Sequence, residues 1–127
     1  MHTRVLVIDD EEALLEMLEA ALGLMGCQAV TAPCLARGRE RAQDGQFDLV
    51  LLDNHFPDGH ADAMMPVLAD AQPQAPVVII TANDTDAHVQ QALRLGAAEV
   101  LSKPFGLDEL GEVVQRYCAS QEAKGVA

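Results

Sequence analysis

Residues 5–10 read VLVIDD, an apolar run closed by two aspartates. A short run this dense in Val, Ile and Leu predicts a strand buried on both faces of a parallel sheet. Three further runs have the same build. LVLLD at 49–53 ends in Asp53, VVIIT at 77–81 ends in Thr81, and EVLSKP at 99–104 reaches Lys103. Parallel strands point one way, so their C-terminal ends share one edge, and open α/β sheets bind ligands along that edge. Three carboxylates, a hydroxyl and an ammonium are therefore predicted to meet in one crevice.

Between these runs the pattern turns helical. Leu14, Met17, Leu18, Ala21, Leu22 and Met25 follow the i, i+3, i+4, i+7 rule, and Gly26 supplies a stop. A weaker strand, QAVTA, is expected at 28–32, then a helix from Leu35 to Asp44. The turn-rich loop NHFPDGH (54–60) precedes a helix near 61–71, which the breakers Pro73 and Pro76 separate from VVIIT. Asn83 or Asp84 is expected to cap a helix carrying Val89, Ala92 and Leu93, ended by Gly96. A last strand is read from about Ala98 to Leu101, and a last helix from Leu107 with Leu110, Val114 and Tyr117 on one face. Five βα units in strict alternation predict one α/β domain with right-handed crossovers and helices on both faces of the sheet. The domain is expected over residues 1–120, with 121–127 a frayed tail of small and polar residues.

Composition narrows the function classes. The chain has 127 residues, half of them apolar, enough for one sizeable core without staples. No apolar stretch approaches the roughly 18 residues needed to span a bilayer, and acidic residues arrive too early for a secretory signal. Cys27, Cys34 and Cys118 are an odd, scattered set without C-x-x-C spacing and read as reduced thiols of a cytoplasmic protein. Net charge is −12, which argues against direct binding to nucleic acid, because phosphate backbones are gripped by clustered Lys and Arg. The one basic cluster, Arg37, Arg39 and Arg41, lies in a helical stretch beside Glu40 and Asp44 and reads as a solvated face.

Two adjacent carboxylates at a strand end repel each other, and their natural use is to hold a hard divalent cation such as Mg²⁺ (or Mn²⁺) through oxygen ligands. Asp9 and Asp10 can both approach one ion only where the strand has ended, and Asp53 would join them from the neighbouring strand. Glu11 and Glu12 read instead as negative charge at a helix N-terminus, and for the aspartate pair alone that reading stays open. Lys103 and Thr81 decide between the two. A lysine beside a metal-carboxylate cluster is needed only if another anion arrives, and a phosphoryl group is stabilised by a metal, an ammonium and hydroxyl donors together. Pro104 ends the strand and aims the lysine from a rigid turn, with a trans or a cis peptide bond.

The order and placement of these motifs resemble the receiver domain of two-component response regulators. The resemblance covers residues 4 to about 118 and rests on Asp9-Asp10, on Asp53 followed by Pro57, Asp58 and Gly59, on Thr81-Ala82, and on GAAEVLSKPF around Lys103. It implies a CheY-like, flavodoxin-like (βα)5 fold with strand order 2-1-3-4-5. It also implies that Asp53 is the phosphoacceptor, fed by a histidine kinase or a histidine phosphotransfer protein. Asp10, Asp53 and the backbone carbonyl of His55 would ligate Mg²⁺, with Asp9 acting partly through water. Thr81 and Lys103 would contact the phosphoryl oxygens, and the Lys103–Pro104 peptide bond would be cis. His55 and Asn83 occupy the two positions that tune phosphoryl lifetime in the family. The chain would then be a cytoplasmic regulatory domain and no enzyme beyond its own phosphorylation and dephosphorylation. Its signal would be a population shift of the face formed by the fourth helix, last strand and last helix, with a homodimer formed on phosphorylation as one outcome.

Family members often carry Tyr or Phe three residues before the lysine, where this chain has Val100, so the usual aromatic relay is missing. Phe56 replaces the Met or Leu usual before Pro57. A haloacid-dehalogenase-like aspartyl phosphatase would need a second acid two residues after the nucleophile, where this chain has His55. A flavodoxin-like flavin or nucleotide binder would need a Gly- or Ser/Thr-rich loop after the first strand, where DDEE stands. A degenerate receiver kept only for docking would not need Asp53, Thr81 and Lys103 intact. His2, His60 and His88 are assigned no role, and Asp58, Asp62 and Asp70 are expected to serve turns and solubility. The output partner is not written in these residues; a stand-alone regulator and the N-terminal piece of a longer protein both fit.

Overall fold

A computed structural model of the protein describes the backbone of residues 3–126 and the side chains of residues 3–118. The five apolar runs form strands β1 (Thr3–Ile8), β2 (Cys27–Ala32), β3 (Leu49–Asp53), β4 (Val77–Thr81) and β5 (Glu99–Ser102). They alternate with helices α1 (Glu12–Leu24), α2 (Leu35–Ala42), α3 (Ala61–Ala71), α4 (Ala87–Arg94) and α5 (Leu107–Val126). All strands pair in parallel in the order β2-β1-β3-β4-β5. This is the doubly wound (βα)5 arrangement with the strand order that the resemblance implies. No helix among the described residues is long and apolar enough to cross a membrane. The frayed tail expected at 121–127 falls on the stretch whose side chains are outside the described set; the backbone there is helical to Val126.

Alternation along each central strand sends side chains to opposite faces. Leu6, Ile8, Val50, Leu52, Val77 and Ile79 pack under α2, α3 and α4. Val5, Val7, Leu49, Leu51, Val78 and Ile80 pack under α1 and α5. Both faces being covered is why the runs are continuously apolar. Gly38 lets α2 approach the sheet: a Cβ there would stand 2.7 Å from Cδ1 of the buried Ile8.

Two helical stripes sit slightly off the sequence reading. In α1 the buried set is Leu15, Leu18, Ala21 and Leu22, whereas Met17 is exposed. The segment is apolar on so much of its circumference that two overlapping stripes fit the period. In α5 Leu107 is exposed and the core side is Leu110, Val113, Val114 and Cys118. The cap of α4 is Asp86, whose carboxylate accepts the His88 backbone N–H at 2.8 Å, rather than Asn83 or Asp84. Asn83 instead folds its own turn, accepting from the backbone and hydroxyl of Thr85 at 3.2 and 2.8 Å.

The loop after β3 carries a small antiparallel hairpin, His55–Phe56 against Gly59–His60, which the sequence reads only as turn. Asp58 at its tip does more than serve the turn. Its two carboxylate oxygens accept the Leu35 and Ala36 backbone N–H groups at 3.1 Å each, capping α2 from 23 residues away. Those N–H bonds, Ala36 first, hold its carboxyl below the usual range. The hairpin beside Asp53 is thereby fastened to a second helix.

Candidate functional site

The crevice forms at the C-terminal ends of β1, β3, β4 and β5, as the parallel order requires. Asp9 lies one residue past β1 and is fully buried, Asp53 ends β3 and is buried, and Asp10 faces solvent. Each of the three offers a carboxylate oxygen, and these oxygens all lie within 4.8 Å of one another. Lys103 Nζ stands 3.3 Å from Asp9 Oδ2 and 3.3 Å from Asp53 Oδ1. Only the contact to Asp53 completes a hydrogen bond. The Asp9 contact is an ion pair without that geometry, so Asp9 Oδ2 remains a buried oxygen with no hydrogen-bond partner. Its sister oxygen accepts the Glu11 backbone N–H at 2.8 Å.

Crowding sets the electrostatics. Burial, and secondly the charge of Asp9, push the Asp53 carboxyl up from its ordinary 3.8 to about 6. Burial likewise raises Asp9, against the pull of the Glu11 N–H and Lys103. For Lys103 burial alone would lower the pKa, yet the neighbouring Asp53 and Asp9 charges win and raise it. One ammonium therefore serves two buried acids. The trio is under-neutralised, and its convergent oxygens with one partnerless buried member fit a hard divalent cation held by carboxylates.

Lys103 is aimed from a fixed turn. The Lys103–Pro104 peptide bond is cis, and the Lys103 N–H donates to the Thr81 carbonyl at 2.8 Å, joining β5 to β4. Thr81 is buried at the end of β4. Its hydroxyl donates to the Asn83 carbonyl at 3.2 Å and accepts the Asn83 N–H at 3.1 Å, closing the loop that leads to α4.

The structure thus gathers Asp9, Asp10, Asp53 and Lys103 directly and sets Thr81 on the adjoining strand end. The His55 ring is exposed and turns to Asn54 and Asp86, at 3.2 and 3.6 Å from its Nε2. His60 and His88, assigned nothing from sequence, lie beside it: His55 meets His60 edge-on at 5.0 Å, and His60 stacks on His88 at 3.7 Å. Asp62 is likewise engaged, with its Oδ2 3.0 Å from His88 Nδ1. His55 and His60 are register partners in the hairpin after β3, and only the approach of His88 from α4 depends on tertiary packing. His2 is outside the described residues.

Comparison with known proteins adds an independent line. A family model described as response regulator receiver domain matches residues 5–115. The response regulator protein PilR of Pseudomonas aeruginosa is 36% identical over 111 residues, covering 87% of this chain but only 25% of its own length. Among solved structures, a CheY-like response regulator receiver domain protein from Methanospirillum hungatei superposes with a TM-score of 0.90 at 22% identity. That match covers 98% of this chain and 99% of that one. The receiver domain of sensor histidine kinase PA1611 from Pseudomonas aeruginosa, solved with magnesium in its active-site cleft, has a TM-score of 0.81 at 22% identity, over 92% and 98% of the two chains.

Proposed function

Because the chain belongs to the response regulator receiver domain family, we propose that Asp53 accepts a phosphoryl group from the phosphohistidine of a kinase or phosphotransfer protein. An Asp53 oxygen attacks phosphorus, the O–P bond forms as the P–N bond breaks, and the departing imidazole keeps the electron pair and takes up a proton. With its carboxyl at about 6, Asp53 is mostly ionised at neutral pH, yet its charge is poorly solvated and so available as a nucleophile. The observation that carries the reading is this buried acid 3.3 Å from Lys103 and clustered with Asp9 and Asp10.

Asp9, Asp10, Asp53 and the His55 backbone carbonyl would hold Mg²⁺, an ion that the PA1611 receiver carries in its cleft. When bound, the ion supplies positive charge against the phosphoryl oxygens. Lys103 Nζ, already at Asp53, turns its donors to those oxygens, and the Thr81 hydroxyl leaves Asn83 to donate to one of them. The acyl phosphate that results is a regulatory mark on this chain, set and removed here, rather than a product released. Incubation with acetyl phosphate and Mg²⁺, followed by intact-mass measurement, tests the reading. Wild type gains the mass of one phosphoryl group and Asp53→Ala does not; an unmodified wild type, or an equally modified variant, overturns it.

A further inference from the structure

Asn54 follows β3 directly and is fully buried, yet its side-chain oxygen Oδ1 has no hydrogen-bond partner among the described residues. A buried acceptor left in that state destabilises a fold, and an apolar side chain of the same shape would avoid the loss. The nitrogen end of the amide explains the residue. Neighbouring residues on a strand point to opposite faces, so Asp53 looks into the crevice and Asn54 away from it, toward α4. There its Nδ2 donates to His55 Nε2 at 3.2 Å. Asp86 Oδ2 stands 3.6 Å from the same ring nitrogen. The His88 N–H first, and to a lesser degree the Asn54 amide and the His55 ring, hold the Asp86 carboxyl below the usual range. A carboxylate only accepts hydrogen bonds, so the amide keeps its NH2 group on the Asp86 side and its Oδ1 turned inward. Asn54 is in place for its two N–H donors.

We propose, resting on the reading of Asp53 as phosphoacceptor, that Asn54 is a positioning residue for gain and loss of the phosphoryl group, because it holds the His55 ring against the α4 cap and off the mouth of the crevice. The ring's contacts are Asn54, Asp86 and His60, none of which belongs to the acid cluster. His55 lies two residues beyond Asp53, no more than about 7 Å along the chain, so an imidazole freed from Asn54 reaches across the opening. Hydrolysis joins a water oxygen to phosphorus and breaks the O–P bond to Asp53. The carboxylate keeps the electron pair, and both water protons leave with the phosphate. Water and a small phosphodonor enter by the same opening, so a ring lying across it slows both.

¹⁵N NMR of the imidazoles at about pH 8.5, where histidine is neutral, reads the tether without phosphorylation. An amide nitrogen only donates, so wild-type His55 is expected with its proton on Nδ1 and none on Nε2. Asn54→Leu, which keeps the shape and deletes both donors, should give a mixture of tautomers. Loading by acetyl phosphate in Mg²⁺, and decay of the acyl phosphate once the donor is removed, should both slow several-fold and by similar factors in Asn54→Leu and in Asn54→Ala. Adding His55→Ala should bring both rates to those of His55→Ala alone, which it would not do for a packing defect at Asn54. An Nε2–H tautomer in wild type, or a slowing that survives loss of the His55 ring, overturns the proposal. A wild type that never loads overturns the acceptor reading and this proposal together. A wild type that loads, with both Asn54 variants loading and decaying at its rates, overturns this proposal alone.

Discussion

Replacing Asp53 by Asn should make the metal-free protein more stable, although it removes the proposed acceptor and a hydrogen bond from Lys103. The carboxyl is raised from 3.8 to about 6, first by burial and then by Asp9. A group whose folded pKa lies above its unfolded value binds protons more tightly in the native state, so for a carboxylate stability falls as pH rises through that window. Between pH 4 and 6 the native protein loses stability relative to a chain without this acid, and above pH 6 the loss is complete. At about 1.36 kcal/mol per pH unit, the full cost is about 3 kcal/mol. Asn keeps the shape, leaves Lys103 to Asp9 alone and is desolvated with less penalty, so a gain of about 2 kcal/mol is expected at pH 7.5. Urea unfolding of both proteins in EDTA, at pH 4 and pH 7.5, measures it. The gain should be near zero at pH 4, and saturating Mg²⁺ at pH 7.5 should narrow or reverse it by stabilising only the wild type. An Asn variant that is less stable at pH 7.5, or a gain equal at both pH values, would refute the electrostatic account.

Lys103→Ala should destabilise by about 3 kcal/mol at pH 7.5, because it leaves two buried acids without a counter-charge; urea unfolding should also show the loss largely rescued in the Lys103→Ala/Asp53→Asn double variant. Gly38→Ala should cost about 1–2 kcal/mol despite alanine's better helix propensity, since its Cβ would press on Ile8. Adding Ile8→Val, which deletes the offending Cδ1, should recover part of the thermal midpoint. His55→Ala and Asn83→Ala, followed by loss of the acyl phosphate over time, should change its lifetime several-fold in at least one case; two unchanged lifetimes would remove both residues from that role.

The strands and the crevice were legible because burial on both faces writes a simple signal: LVLLD and VVIIT are apolar without interruption and end where polarity begins. Where several answers satisfied the same local rule, sequence could not choose. TANDTDAH contains five residues of capping type, and Asp86 is selected only because its carboxylate reaches the His88 N–H. The α1 stripe could be drawn through Met17 or through Leu15, and the sheet decides for Leu15. Relations across loops left no local trace. Asp58 capping α2 and the stacking of His88 on His60 depend on how the hairpin after Asp53 lies against α2 and α4. No periodicity encodes that placement.

Val100 raises the question of how a signal would leave the crevice without an aromatic ring to swing. It packs with Leu93 and Ala97 against the core under α4, and a small branched side chain there has no large alternative rotamer to offer. Thr81 provides another route. Its hydroxyl fastens Asn83 by two hydrogen bonds, the Asn83 carbonyl accepts the Asp86 N–H at 3.3 Å, and Asp86 caps α4. Drawing that hydroxyl to a phosphoryl oxygen forfeits the Asn83 pair, about 1–3 kcal/mol at the usual net worth of such bonds. A charge-assisted bond to phosphate returns about 1.5–3 kcal/mol. The exchange is therefore nearly balanced, which suits a two-state equilibrium separated by a few kcal/mol. The far side of β5 is held differently: Glu99 accepts from Arg116 at 2.6 Å and from the Tyr117 hydroxyl at 2.6 Å, joining β5 to α5. Of the two helices flanking β5, α4 is the one whose first turn hangs on a chain of bonds ending at Thr81. Displacement on phosphorylation should accordingly concentrate in residues 82–90, and amide exchange there should change more than in residues 107–118.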